Sequence, residues 1–201
     1  MRMTLGQKVL RRVKGLGMGA VFTRADFLDL GSTHAIGMVF QRLLEEGRLR
    51  RVARGLYDVP LSHPMIGKLS AKSDAIAEAI ARRDGLRLGP TEAQAANLLN
   101  LSEQVPARIA YAINRRGRRM KVGGRSIEFQ QRSSRKMAAG RSSTLVMAAL
   151  RSLGPRHIKT HHIAHLQKLL PSADRRRLIK DLRYAPAWMH PHLRKIAVEK
   201  P

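Results

Sequence analysis

Apolar residues recur at helical spacing from Leu5 through Val9, Val13 and Leu16, with Lys8, Arg11, Arg12 and Lys14 between them. That period predicts an amphipathic helix opened by Thr4. The helix runs into Gly15-Leu16-Gly17-Met18-Gly19. A phosphate-binding glycine loop follows a strand and opens a helix, whereas this one closes a helix, so it reads as a C-cap and turn. Ala20-Val21-Phe22 is short and extended. Thr23, with Asp26 three residues on, has capping-box spacing for a short helix that carries Phe27, Leu28 and Leu30 and stops at Gly31. Ser32 caps the next helix at once. Two helices joined by so tight a Gly-containing turn form a helix-turn-helix signature.

The helix after Ser32 places Ile36, Val39, Phe40, Leu43 and Leu44 on one face and His34, Met38, Gln41 and Arg42 away from it, with Glu45 below. In a DNA-binding version, the N-terminal part of this helix enters the major groove. There His34 and Gln41 can donate or accept at base edges, and Met38 can touch a thymine methyl. Ser32, at its start, and Arg42 complete the candidate contacts on this element. Gly47 ends the helix. The runs from Leu49 to Val52 and from Leu56 to Val59 flank Ala53-Arg54-Gly55, the pattern of a small hairpin. Strict alternation puts Leu49 and Val52 on opposite faces, so a bulge or an early strand end is expected. Arg48, Arg50, Arg51 and Arg54, with Tyr57, make this hairpin a candidate wing for phosphates or the minor groove. The order predicts a winged helix-turn-helix over residues 1–60. The competing reading is an ordinary solvated surface.

Residues 61–69, LSHPMIGKL, hold a Pro and a Gly without a clear period and are expected to be a linker. Residues 70–201 then form a C-terminal domain, a small α+β segment followed by a helical region, so the fold class is α+β. Ser70 caps an Ala/Ile-rich helix to about Arg83, and Thr91 with Gln94 is a capping box for a second. Ala107 to Asn114 reads as a strand. Met120 to Gln131 holds a Gly123-Gly124 hairpin turn. Arg115, Arg116, Arg118, Arg119 and Lys121 bunch around Gly117, either as a second phosphate-contacting surface or as a solvated loop tip. Three helices are expected beyond residue 136, over Met137–Leu153, Ile158–Leu170 and Ala173–Tyr184, broken at Pro155, Pro171 and Pro186. Leu178, Ile179 and Leu182 make a core stripe in the last.

Composition sharpens this picture. The net charge is +25 at pH 7, from 39 Lys and Arg against 14 Asp and Glu. It divides as +6 over residues 1–60, +9 over 61–136 and +10 over 137–201, so it is no detachable tail. Such a charge repels itself in a compact chain, which points to a polyanionic partner, nucleic acid before an anionic membrane. No apolar run approaches 18 residues, and no signal-peptide or myristoylation pattern opens the chain, so no membrane role is expected. The absence of cysteine excludes disulfides, thiolate catalysis and Cys-containing zinc fingers, and is compatible with the cytoplasm. With only one Trp, three Tyr and four Phe, a stacking platform for single strands is poorly supplied, which favours double-stranded DNA.

His157, His161 and His165 recur at spacings of four, a geometry open to a metal. No zincin carboxylate lies between them, so a polar helix surface or a phosphate contact is preferred. The acids are spread thinly, and no nucleophile elbow or Walker loop occurs, so neither an enzyme nor a cofactor is expected.

The run from Phe40 to Tyr57, FQRLLEEGRLRRVARGLY, resembles the N-terminal winged helix of the AbiEi-type antitoxins, in which a basic strand runs into an Arg-Gly-x-Tyr wing. Gly89 to Ser102, followed by Gln104-Val105-Pro106, is similar to the family's central segment. The resemblance implies a bacterial antitoxin that represses its own promoter at inverted repeats, as a homo-oligomer on DNA. Its partner is a nucleotidyltransferase-like toxin, by a contact mode left open. The alternative is a non-catalytic RNA-binding or nucleic-acid-coating protein.

Overall fold

The computed structural model describes residues 3–65, 67–104 and 107–198, and the chain is mixed α+β. Val105 and Pro106 of the motif quoted above lie outside the described residues. The chain divides into two units, residues 1–86 with 120–127 and residues 87–119 with 128–201.

In the first unit, helix α1 (Leu5–Gly15) begins with a reciprocal cap. The Gln7 amide donates to the Thr4 hydroxyl at 3.3 Å, and the Thr4 amide donates to the Gln7 side chain at 2.9 Å. Val9 and Val13 are buried beneath it. Strand β1 (Val21–Phe22) follows. The Asp26 carboxylate then accepts from the Thr23 amide at 2.7 Å and from its hydroxyl at 3.1 Å. The cap is the one the spacing predicts, but it opens only a 3-10 turn, Arg24–Phe27. So few residues separate Thr23 from the next cap that a nucleated turn has little room to propagate.

Helix α2 (Thr33–Glu45) starts where Ser32 Oγ accepts from the Ala35 amide at 3.2 Å. Ile36, Phe40 and Leu43 are fully buried. The Phe40 ring meets Phe22, Phe27 and Tyr57 edge-on at 6.1, 5.4 and 5.0 Å, the arrangement that ring quadrupoles favour. Gly47, at φ +67°, turns the chain into a hairpin of β2 (Arg50–Ala53) and β3 (Leu56–Asp58). Its register shifts between Arg51 and Ala53, which is the irregularity that the Leu49/Val52 mismatch demands. Strand β1 adds to β3, giving the order β1-β3-β2.

Residues 61–69 are not an extended linker. Strands β4 (Leu61–His63) and β5 (Gly67–Leu69) pair antiparallel, with Gly67 at φ +71°. Helix α3 (Ser73–Asp84) belongs to this unit and starts three residues after the expected Ser70 cap. Arg82 Nη2 donates to the Val21 carbonyl at 2.8 Å, which ties α3 to β1.

In the second unit, β6 (Leu88–Pro90) pairs with β7 (Ile109–Ile113); β8 (Arg118–Val122) and β9 (Arg125–Gln131), whose tip 120–127 is grouped with the first unit, complete a sheet of order β6-β7-β9-β8. Gly123 and Gly124, at φ +54° and +80°, make the expected two-residue turn. Helix α4 (Glu92–Leu98) carries the Thr91–Gln94 capping box. Among the described residues, the α-helices that follow are α5 (Arg141–Leu153), α6 (Thr160–Leu169), α7 (Ser172–Lys180) and α8 (His190–Ala197). Their core joins Ala95, Val146, Met147, Leu150, Leu166, Leu178, Leu193 and Ile196. Ile179 leaves the expected stripe and is 45% exposed. Buried Asp181 accepts from the Gly140 amide at 3.0 Å and from Arg177 Nε at 3.2 Å, so it closes the start of α5 with a side chain from beyond α7.

Candidate nucleic-acid interface

Burial of Ile36, Phe40 and Leu43 leaves the other face of α2 in solvent, and there His34, Met38 and Gln41 stand exposed in a row. Met38 is 60% exposed. The row offers an imidazole, a thioether methyl and an amide, which can meet donors, acceptors and methyl groups on base edges. Gln41 Nε2 donates to Glu45 at 3.1 Å, and Arg42 Nε lies 3.4 Å from Glu46. Exposed pairs of this kind exchange at little cost. Arg42 turns toward α1, where its guanidinium occupies the space that a Cβ on Gly6 would need. Ser32 is occupied as the helix cap.

The hairpin arginines separate into two roles. Arg51 and Arg54 are exposed, and Arg48 lies 3.6 Å from Glu46 at the surface. Arg50 points inward. Its Nε and Nη2 bind the two oxygens of Asp58 at 3.0 and 2.6 Å, and Nη2 also donates to the Leu69 carbonyl at 2.8 Å. The paired carboxylate raises the Arg50 pKa above its ordinary value, so this cation is committed to the fold. Tyr57 is a core residue, 4% exposed, and presents no open ring face to a groove.

Two cations that sequence reasoning passed over stand near Arg51. Arg24, at the start of the 3-10 turn, has its guanidinium carbon 5.8 Å from the Tyr57 ring centroid. Arg83, in the last turn of α3, is fixed by Asp84 through bonds of 2.7 and 3.2 Å, and this pairing raises its pKa. The position of Arg24 just after a helix cap was a legible signal. Nothing local marks Arg83.

The residues around Gly117 are spread over different elements. Arg115 and Arg116 are exposed in the bend before β8, whereas Arg118 and Arg119 lie on β8 itself. Arg118 sits over the Phe129 ring at 5.7 Å, and Arg119 pairs with Glu128 at 3.3 Å. Lys121 is exposed. The histidines do not share one helix face, because His157 precedes α6. His157 Nδ1 lies 3.0 Å from the Leu153 carbonyl and His165 Nε2 lies 2.9 Å from that of Leu99. Burial, and then neighbouring His161, lowers the His162 pKa. No group of three or more His, Asp or Glu side chains gathers for a metal among the described residues. No described helix is long and apolar enough to cross a membrane.

Fold and surface together define an α+β protein with a helix–hairpin unit that exposes His34, Met38 and Gln41 on the helix and Arg51 and Arg54 on the hairpin. The chain belongs to DUF6088, a family of unknown function, whose model matches residues 8–178. No curated protein matches it. Among solved structures it is similar to the RV2827C protein from Mycobacterium tuberculosis, with 18% identity and a TM-score of 0.41 over 98% of this chain and 77% of that one. That likeness is too weak to carry a functional argument.

Proposed function

We propose that residues 1–60 are a winged helix-turn-helix that binds double-stranded DNA, and that the chain is an antitoxin. In this reading it represses its own toxin–antitoxin promoter and counteracts a nucleotidyltransferase-like toxin. One observation carries the DNA reading. The exposed row His34, Met38 and Gln41 lies on a helix locked by the Phe40 ring cluster, and Gly47 leads from it into a hairpin bearing exposed Arg51 and Arg54. A helix fits the major groove of B-DNA, and side chains held on a rigid element read base edges at low ordering cost. The hairpin arginines add phosphate contacts, which position the helix without reading sequence.

Support for the antitoxin role comes from the likeness of Phe40–Tyr57 and Gly89–Ser102 to the AbiEi-type motifs. Inverted repeats would be met by two copies of the chain, since operator symmetry mirrors protein symmetry. Cytoplasmic action follows from this role.

The test is a footprint and a binding titration on the upstream inverted repeat against random duplex. A specific regulator prefers its operator by a factor of roughly 10³ or more. Equal affinities would overturn the regulatory reading and leave a nucleic-acid-coating protein, a role that suits the +19 carried beyond residue 60. Co-expression with the adjacent toxin-like reading frame tests the antitoxin role by growth rescue.

A further inference from the structure

An open cleft of about 360 Å³ lies between the Thr23 turn, the β2–β3 hairpin and the end of α3, lined by Thr23, Arg24, Arg51, Gly55, Tyr57 and Arg83 among others. Three arginines from three separate elements border one space. No carboxylate is among the lining residues. Neither Arg24 nor Arg51 has a carboxylate partner among the described residues. Like charges gathered around one cleft repel, and an anion between them relieves the repulsion.

Two of these cations, Arg24 and Arg83, are also held in place. Arg24 rests on Tyr57 and lies 3.6 Å from where a Cβ would stand on Gly37. Asp84 grips one side of Arg83 and leaves Nη1 3.7 Å from the corresponding point on Gly55. Guanidinium forks match phosphate geometry, and forks already ordered lose less entropy on binding.

We infer that this cleft receives a backbone phosphate of duplex DNA, so that the bound surface extends beyond the hairpin to Arg83 of α3. The inference rests on the duplex-DNA reading above. The ligand chemistry, a phosphate oxyanion, is shared with free nucleotides and pyrophosphate. The lining favours the polymer. Tyr57 is the ring of the lining, and it is 4% exposed with Phe40 against one side and Arg24 against another, so no face is left for a base to stack on. An open rim suits a chain that passes through, whereas small-molecule sites enclose most of their ligand.

The experiment measures affinity for a random duplex as a function of salt, for the wild type, Arg24→Gln, and the double variant Arg83→Gln/Asp84→Asn. The double variant leaves the net charge unchanged, so a merely global charge effect predicts no change. A phosphate contact predicts that each variant flattens the slope of log K against log salt by about one. Binding at 0.1 M salt should weaken by roughly tenfold. Circular dichroism verifies folding, and if Arg24→Gln unfolds, the double variant decides. Wild-type binding with unchanged slopes in the folded variants overturns the cleft and spares the duplex reading. Absence of any wild-type duplex binding overturns both. Pyrophosphate is the second probe. If it raises the wild-type melting temperature through Arg24 and Arg83 while duplex binding ignores them, the cleft is a small-anion site and the backbone assignment falls.

Discussion

Arg50 grips Asp58 with two guanidinium nitrogens at 3.0 and 2.6 Å and spends a further bond on the Leu69 carbonyl, so the β2–β3 hairpin and β5 are joined through one side chain. Asp58 is 1% exposed, and a carboxylate so placed must keep its partner. One arginine of a basic hairpin is therefore structural while its neighbours face solvent.

This division is testable. Arg50→Ala strands a buried carboxylate and should cost about 3 kcal/mol in urea unfolding. Arg51→Ala and Arg54→Ala, at exposed sites, should change stability by no more than about 0.5 kcal/mol. If these two alanines leave duplex affinity untouched, the hairpin is not a phosphate-binding element.

Base reading by α2 predicts a different response. Gln41→Ala removes an exposed amide bonded only to Glu45 among the described residues. It should leave the salt slope unchanged and cut preference for the operator by about 1–3 kcal/mol. Selection from a randomised duplex pool, compared between wild type and variant, reads this directly. An identical selected sequence would remove Gln41 from the readout.

Gly117 is required by space. A Cβ there would stand 2.7 Å from the Phe129 carbonyl oxygen and 3.3 Å from the Gln131 nitrogen, both backbone atoms of β9. Gly117→Ala must move a strand and should cost about 1–3 kcal/mol, seen as a lower melting temperature and faster amide exchange in β9.

Asp181 gives the second unit an acid-sensitive joint. Burial alone would raise its pKa, but the Gly140 amide, the Ser143 side chain and Arg177 together outweigh this and hold it below the ordinary carboxylate value. A depressed folded-state pKa contributes stability that is fully present above the unfolded value, near 3.9, and is lost as pH falls through the folded value. Wild type should therefore lose stability below about pH 4, while Asp181→Asn should start lower and show a flatter acid limb. Parallel limbs in acid titration of the two proteins would exclude this role.

Local chemistry made much of residues 1–60 readable. Thr4–Gln7 and Ser32 are caps written within four residues of sequence and form as written, whereas Thr23–Asp26 opens only a 3-10 turn. The Gly123-Gly124 turn is equally local. The Leu49/Val52 mismatch foretold the bulge, because a side chain on the wrong face of a strand forces a register shift.

What failed to show in sequence was long-range. Leu61–Leu69 lacks a period because both strands of its hairpin are short and largely exposed. Ile179 fits a helical stripe, yet α7 buries only Leu178. His157 shares spacing with His161 and His165 but not their helix. Arg50 and Arg51 are adjacent in sequence, and only the placement of Asp58 across the hairpin decides which is held in an ion pair and which faces solvent.

The sequence by itself determined the caps, the turns, the buried face of α2 and the strongly basic character, since these depend on residues a few positions apart or on simple counts. The tertiary structure alone decided which cations are spent inside the fold and which border the cleft. Arg24, Arg51 and Arg83 come from distant segments, and no local pattern encodes a meeting that packing of the 3-10 turn, the hairpin and α3 brings about.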